Sequence, residues 1–207
     1  GSREESIVPK YTESIHTLAL VGHGGSGKTT LAEALLWKSG AIATPGSVEK
    51  GTTVCDFDPM EKEYGHSLAS SLVNFAWEDM RIHLVDTPGM PDFAGQSIAA
   101  LAAVETAVVV INAQNGIELN TSRMMKWAKN RGLCRMILVN KIDADNVDLP
   151  GLLRKIQDHF GKECLPINLP AHDRADVVDC FFNPDGDADF VGVKDAHKAI
   201  IEQVVEV

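Results

Sequence analysis

The chain has 207 residues, 44% of them hydrophobic, and a formal net charge of −10 at pH 7. This composition supplies enough apolar material for one core and a smaller subdomain. The negative charge argues against non-specific nucleic-acid binding by this chain, because that affinity depends on neutralising phosphates. The longest apolar run, AVVVINA, is too short to span a bilayer, and no leader pattern opens the chain, so no membrane partner is expected.

The four cysteines are widely spaced and form no Cys-x-x-Cys pair. This pattern favours a reducing cytoplasm and predicts neither a zinc site nor a disulfide framework.

Apolar runs and helical periods alternate along the chain. The run IHTLALVG at 15–22 predicts a strand, and the following glycine-rich turn leads into a helix that Gly40 ends. Further on, the pattern predicts strands over 80–86, 107–113 and 135–143, and helices over 97–105, 119–132, 149–161 and about 194–207. Such alternation predicts a mainly parallel sheet with helices on both faces.

Two segments lack this alternation. Residues 41–69 are rich in Gly, Thr, Pro and charges, and a stretch of that length in a domain is more often functional or mobile than structural. Residues 172–192 are rich in Asp and Gly and surround the strand-like DVVDCFF at 176–182. We interpret this second segment as part of a small appended subdomain with a solvated acidic surface.

The sequence GHGGSGKT, Gly22 to Thr29, matches the P-loop pattern of nucleotide-binding proteins. Its glycines allow backbone N–H groups to converge on phosphates, Lys28 supplies a positive charge for the β and γ oxygens, and the Thr29 hydroxyl can ligate Mg²⁺. The predicted nucleotide-binding residues here are His23, Gly24, Gly25, Ser26, Gly27, Lys28, Thr29 and Thr30. The loop alone leaves ATP and GTP equally possible.

Two further motifs follow predicted strands. In NKID, Asn140, Lys141 and Asp143 are predicted to bind the base, and the Asp143 carboxylate could accept both N1–H and N2–H₂ of guanine. Adenine offers no such pair of donors, so NKID disfavours an ATPase. In DTPG, Asp86 is predicted to hold Mg²⁺ through water, and the Gly89 amide is predicted to meet the γ-phosphate.

With the segments GTTVCDFDP and LPINLP, these motifs resemble the translational GTPases, and most closely the G domain of elongation factor G, including its bacterial elongation-factor-G-like paralogues. The resemblance implies an α/β fold: a three-layer P-loop NTPase G domain with a mainly parallel sheet and a small, incomplete inserted subdomain. It also implies Mg²⁺ as cofactor and a GTP-driven switch in the cytoplasm that acts on the ribosome, with hydrolysis to GDP.

The resemblance also exposes departures. Switch I of the family is represented by YGHS, in which Ser67 keeps a hydroxyl that could ligate Mg²⁺. The family's water-orienting His is Met90, whose thioether has no transferable proton. The two sides of the family's apolar gate are Gly24 and His66.

The predicted catalytic residues are therefore Lys28, Gly89, Ser67 and His66. His66 is a hypothetical substitute for the missing group, and its alternative interpretation is a solvated loop histidine. The alternative function is a GTP-binding switch or scaffold with negligible hydrolysis.

We predict a tag remnant and polar tail over 1–14, the P-loop GTP-binding domain over 15–168, and part of the inserted subdomain over 169–207. The family's Ser-Ala base-binding turn follows the inserted subdomain, but no Ser follows Ser122 and no Thr follows Thr121. We therefore expect a piece of a longer factor with weakened guanine affinity.

Overall fold

A five-stranded β-sheet organises the first part of the chain in the computed structural model, which describes residues 14–55 and 67–205. The strand order is β2-β3-β1-β4-β5, where the strands are β1 (Ile15–Gly22), β2 (Ser71–Trp77), β3 (Met80–Asp86), β4 (Thr106–Asn112) and β5 (Cys134–Asn140). Strand β1 pairs in parallel with both β3 and β4, whereas β2 is antiparallel to β3. The predicted mainly parallel sheet is confirmed.

The helices fall close to the predicted positions: α1 (Lys28–Lys38), α2 (Ala94–Leu101), α3 (Leu119–Asn130), α4 (Leu149–Phe160) and α5 (Val193–Val205). Helix α2 begins and ends earlier than the predicted 97–105, because Glu105 leaves the helical path and its carboxylate accepts hydrogen bonds from the backbone and hydroxyl of Thr17. Within residues 14–55 and 67–205, no helix has both the length and the apolarity to cross a membrane.

Helices cover both faces of the sheet. On one face, Leu20, Leu84 and Val108 form a buried cluster with Ala32 and Leu36 of α1. The alternate side chains of the same strands are buried too, namely Ala19, Val21, Val109 and Ile111. Because successive strand residues point to opposite faces and α2 and α3 also contact β1, these side chains form the second layer interface. The result is the expected three-layer α/β arrangement.

The chain divides into two compact units. The first comprises the described residues up to Ile111 together with Glu118–Asn140, and the second comprises Asn112–Ile117 and the described residues from Lys141 onward. The second unit contains α4, α5 and an antiparallel hairpin of β6 (Asn168–Ala171) and β7 (Asp176–Asp179). The predicted domain boundary between 168 and 169 stays a prediction.

A small core holds the second unit together. It consists of Leu169, Cys180, Val193, Ala196 and Ile200. Strand β7 is shorter than the predicted 176–182, because the Asp179 carboxylate accepts hydrogen bonds from the N–H groups of Phe181 and Phe182. Such a side-chain turn ends the extended conformation.

Part of the segment 41–69 is tied to helix α1. The Glu33 carboxylate, which is buried, accepts hydrogen bonds from the backbone N–H groups of Gly46 (2.7 Å) and Val54 (2.5 Å). Charge-assisted hydrogen bonds to backbone donors are among the stronger contacts in proteins. They hold the described portion of this segment against α1, although it has little regular structure.

Strand β2 was not predicted. Its residues alternate between buried and exposed, with Val73 and Phe75 facing the core and Leu72 and Asn74 facing outward. The sequence does not show an alternation of apolar and polar residues here, because the exposed position 72 is occupied by the apolar Leu72. The strand continues the sheet beyond β3 as its antiparallel edge.

We expect Phe75→Ala to lower the free energy of unfolding by about 3–5 kcal/mol, the usual effect of truncating a buried aromatic residue. Leu72→Ala is the matched control on the same strand, because Leu72 is 66% exposed and Phe75 only 7%. Urea unfolding of both variants would measure the difference. Equal losses would contradict the assignment of Phe75 to the core-facing side of β2.

Candidate nucleotide-binding site

The phosphate loop lies between the end of β1 at Gly22 and the start of α1 at Lys28. Gly25 (φ 76°) and Gly27 (φ 92°) adopt left-handed backbone conformations, which glycine reaches without the Cβ penalty of other residues. Gly27 occupies the N-cap position of α1, with no side chain capping the helix. The N-terminus of α1, with its first backbone N–H groups, therefore adjoins the loop. Phosphate binds at helix N-termini in this arrangement.

Lys28 is buried beneath this loop. Its ammonium donates to the carbonyl oxygens of His23 (2.9 Å) and Gly22 (3.4 Å). Burial lowers the pKa of Lys28 from 10.5 to about 8, and the nearby carboxylates of Asp86 and Glu118 oppose that change. A desolvated ammonium group next to the backbone N–H groups of the loop favours a negatively charged ligand.

The three predicted metal ligands lie together. The Thr29 hydroxyl donates to Asp86 Oδ2 at 2.6 Å, and its oxygen lies 3.3 Å from Ser67 Oγ, with either hydroxyl able to donate. Asp86 ends β3 and is buried. Two hydroxyls and a carboxylate form a set of hard oxygen ligands of the kind that Mg²⁺ prefers, so the residues fit the implied metal.

The DTPG turn lies directly against the phosphate loop. A Cβ added at Gly89 would stand 2.5 Å from Lys28 Nζ and 2.6 Å from the Gly24 nitrogen, distances that real side chains do not reach. Only glycine therefore fits at position 89 in this arrangement. A Cβ at Gly24 would meet Met90 Sδ at 3.3 Å, so the Met90 side chain lies over the glycine of the phosphate loop.

Three buried side chains that the sequence did not single out hold this turn. Thr87 Oγ1 donates to the Leu20 carbonyl at 2.7 Å, Ser97 Oγ to the Pro88 carbonyl at 3.0 Å, and Asn120 Nδ2 to the Gly89 carbonyl at 2.8 Å. Ser97 and Asn120 come from α2 and α3 and are nearly inaccessible to solvent. For Ser97 and Asn120, the only signal in the sequence is that each is a polar residue on a helix face that packs inward.

The hydrogen bond from Ser97 also orients the Gly89 amide. The Pro88 carbonyl and the Gly89 N–H belong to one planar trans peptide group, in which the two point in opposite directions. Fixing the carbonyl towards Ser97 in α2 therefore directs the Gly89 N–H away from α2.

The remaining predicted residues of the first unit take several positions. Asn140 at the end of β5 donates to the Ser26 carbonyl at 2.9 Å, which ties the end of β5 to the phosphate loop. His23 Nε2 lies 3.6 Å from a Glu118 carboxylate oxygen, an ion pair when His23 is protonated. Thr30 is exposed in the first turn of α1.

Other predicted residues lie elsewhere. Lys141 and Asp143 belong to the second unit, described below. His66 lies outside the described residues, so its predicted catalytic role stays a prediction.

A known protein family matches the part of the chain that contains these motifs. The family model of the elongation factor Tu GTP binding domain matches residues 13–205. The chain belongs to this family. The predicted resemblance to translational GTPases, and to the G domain of elongation factor G among them, is thereby confirmed.

Relatives of this GTP-binding domain come from several kinds of organism. An elongation factor G-like protein of Mycobacterium tuberculosis (strain ATCC 25618 / H37Rv) is 38% identical over 159 residues, covering 77% of this chain and 22% of that protein. The tetracycline resistance protein TetO of Streptococcus mutans is 35% identical over 151 residues, covering 73% and 24%. The mitochondrial ribosome-releasing factor 2 of Culex quinquefasciatus is 34% identical over 169 residues, covering 82% and 22%.

A solved structure supports the same assignment. A crystal structure of a Thermus thermophilus protein matches with a TM-score of 0.83 and 34% identity, covering 93% of this chain and 31% of that one. The GTP-binding domain thus spans about a fifth to a quarter of the length of the curated relatives named here.

We expect Gly89→Ala to weaken binding of a non-hydrolysable GTP analogue at least tenfold, because the added methyl group would push the turn off Lys28 and Gly24 and remove a hydrogen bond to a charged phosphate. GDP affinity should change by less than about threefold, since GDP lacks the γ-phosphate that the Gly89 amide is predicted to meet. The matched control is Gly95→Ala in α2, where a Cβ meets no atom within 4 Å. Fluorescence titration would measure the affinities, and equal loss for both nucleotides would contradict the assigned role.

The pKa of Lys28, lowered to about 8, predicts pH-dependent nucleotide binding. Bound phosphates favour the charged ammonium and raise its pKa, so binding takes up a proton wherever the free protein has lost it. GDP affinity should therefore fall as pH rises above about 8, by up to about tenfold per pH unit. Titrations between pH 7 and 9 would measure this slope. Lys28→Met should bind more weakly with a much flatter profile, and a slope that persists in that variant would assign the effect to another group.

Proposed function

We propose that this chain is the domain of a translation factor that binds GTP and hydrolyses it to GDP and phosphate. The observation that carries the proposal is the contact of the Gly89 backbone with Lys28 and Gly24, which brings the DTPG turn onto the phosphate loop. A γ-phosphate between these elements would interact with the Lys28 ammonium and with the backbone N–H groups of the loop. Its presence or absence would then be sensed by the turn.

Electrostatic stabilisation would supply most of the rate effect. In phosphoryl transfer, negative charge spreads over the oxygens of the transferred group, and fixed positive groups in a dry site stabilise it. Lys28 is such a group, since it is buried and anchored by two carbonyls. Thr29, Ser67 and Asp86 would hold Mg²⁺, which neutralises phosphate charge when bound.

Met90 has no part in the proposed chemistry. Its thioether is a weak acceptor without a transferable proton, and it lies over Gly24. Orientation of the attacking water would therefore depend on backbone groups of the turn, or on His66 as the sequence hypothesis has it. The turn is suited to a fixed role, because Ser97 and Asn120 hold two successive carbonyls.

The base specificity that we propose is for guanine. Asp143 supports it, since its carboxylate could accept from N1–H and N2–H₂ of guanine and adenine lacks that donor pair.

Action on the ribosome in the cytoplasm belongs to the longer protein in this proposal. Its support is the family of the chain and the names of its relatives, which include an elongation factor G-like protein and a ribosome-releasing factor.

Single-turnover phosphate release from GTP by this chain tests the proposal, with and without ribosomes. We expect slow release by the wild type and a loss of roughly a hundredfold in Lys28→Met, the usual effect of removing one electrostatic donor. Met90→Ala should stay within about threefold of wild type. Met90→His should accelerate phosphate release about tenfold or more if the imidazole of that variant positions the attacking water. Such an increase lies within the range known for general-base groups.

GTP binding without phosphate release in any of these conditions would overturn the hydrolase proposal. Loss of activity in Met90→Ala as large as in Lys28→Met would show instead that Met90 takes part in the reaction.

A further inference from the structure

The loop that carries Asp143 has an unfavourable backbone conformation. Lys141 (φ 60°) and Asn146 (φ 58°), at its two ends, are both left-handed, although neither is glycine. Between them the Ala144 N–H donates to the Lys141 carbonyl at 3.2 Å and closes a tight turn. Left-handed residues without glycine cost conformational free energy and persist only where surrounding contacts hold them. The loop therefore needs support from outside its own sequence.

Arg174 provides that support from the hairpin turn between β6 and β7. Its Nη1 donates to the carbonyl oxygens of Ala144 (3.1 Å) and Ile142 (3.4 Å). These two carbonyls belong to the residues directly before and after Asp143. A guanidinium donor is charged and planar, so it fixes both acceptors more strongly than a neutral donor would. The backbone on each side of the Asp143 carboxylate is thereby anchored to one side chain.

The turn that presents Arg174 is itself strained and specifically braced. His172, Asp173 and Arg174 are three consecutive residues with positive φ, between 54° and 66°. The Asp189 carboxylate accepts a hydrogen bond from the Asp173 N–H at 3.0 Å and one from the Arg174 N–H at 2.7 Å. Three successive left-handed residues are rare because each carries a steric cost, and the two hydrogen bonds to Asp189 hold them in this conformation. It places the Arg174 side chain, which is only 29% exposed, at the Asp143 loop.

A second contact supports the far side of the loop. Gln114 Nε2 donates to the Asp145 carbonyl at 3.1 Å. This neutral hydrogen bond acts on a carbonyl two residues beyond Asp143, whereas Arg174 acts on the adjacent ones. Arg174 is therefore the contact that bears most directly on the position of Asp143.

We infer that Arg174 is a positioning residue for base specificity: by holding the two carbonyls that flank Asp143, it fixes the carboxylate that distinguishes guanine from bases lacking a 2-amino group. The inference rests on the proposed function, because Asp143 reads a base only if a guanine nucleotide binds. It assigns to the β6–β7 hairpin a part in nucleotide selection. Arg174 itself is not required to touch the nucleotide.

The test compares the affinities of GDP and IDP, because inosine differs from guanosine only in lacking the 2-amino group that Asp143 would recognise. In Arg174→Gln, we expect the preference for GDP over IDP to fall by roughly three- to tenfold, as a charged hydrogen-bond donor is lost from the loop. IDP affinity should fall less than GDP affinity, since inosine offers Asp143 only the N1–H donor and guanosine offers both N1–H and N2–H₂. Isothermal titration of both nucleotides gives the ratio directly.

Two further variants keep the test decisive. Arg154→Gln removes the same charge from an exposed position of α4 and should leave the ratio unchanged. Asp189→Asn keeps Arg174 but weakens its brace, and should lower the ratio less than Arg174→Gln does. If Arg174→Gln fails to fold, as circular dichroism would show, Asp189→Asn tests the inference alone: the preference for GDP should still fall, and an unchanged preference would overturn it.

The outcomes separate this inference from the proposed function. A wild-type chain that binds neither nucleotide, or binds both equally, would overturn the proposed guanine specificity. A wild type that prefers GDP while Arg174→Gln keeps the full preference would overturn the role of Arg174 alone. Equal weakening of GDP and IDP in Arg174→Gln would also overturn it, because that result reports general damage to the fold.

Discussion

The approach of one glycine to another sets the geometry of the site. Gly89 lies so close to Gly24 and Lys28 that a side chain at position 89 has no room. The absence of side chains lets two backbones, each with its N–H groups, face the same small volume. Hydrogen bonds from Thr87, Ser97 and Asn120 then hold one of these backbones in place. The proposed phosphate recognition would thus depend on main-chain groups, on Lys28 and on the few side chains that fix the turn.

In the proposed function, phosphate binding belongs to residues of the first unit and the guanine contact of Asp143 to the second. The first unit supplies the buried Lys28 ammonium, which favours a phosphorylated ligand, and an oxygen cluster suited to Mg²⁺. The second unit contains Asp143 in a strained loop that Arg174 braces. Under this proposal, loss of the Arg174 contact would therefore act on base selectivity without altering Lys28 or the oxygen cluster.

The sequence predicted those features that depend on local patterns. The phosphate loop, DTPG and NKID each follow an apolar run, and the strands and helices around them were placed correctly apart from a few boundary residues. Ser97, Asn120 and Arg174 were missed because each bonds to a backbone carbonyl 9, 31 or 30 residues away in sequence. A carbonyl is present at every position, so no residue pattern reveals such a partner. Strand β2 was missed for a related reason, since an exposed leucine masks its alternation.

The position of Met90 means that the two departures from the family pattern, at positions 24 and 90, cannot be reversed with equal ease. A side chain at position 24 would compete with the Met90 sulfur for the same volume, and a branched aliphatic residue would crowd it further. Met90 is 39% exposed, so a change at position 90 meets solvent on one side and the small Gly24 on the other. The order of the substitutions that would restore the usual family pattern therefore matters. Replacement of Met90 can precede introduction of a side chain at position 24, whereas the opposite order requires the Met90 side chain to shift towards solvent.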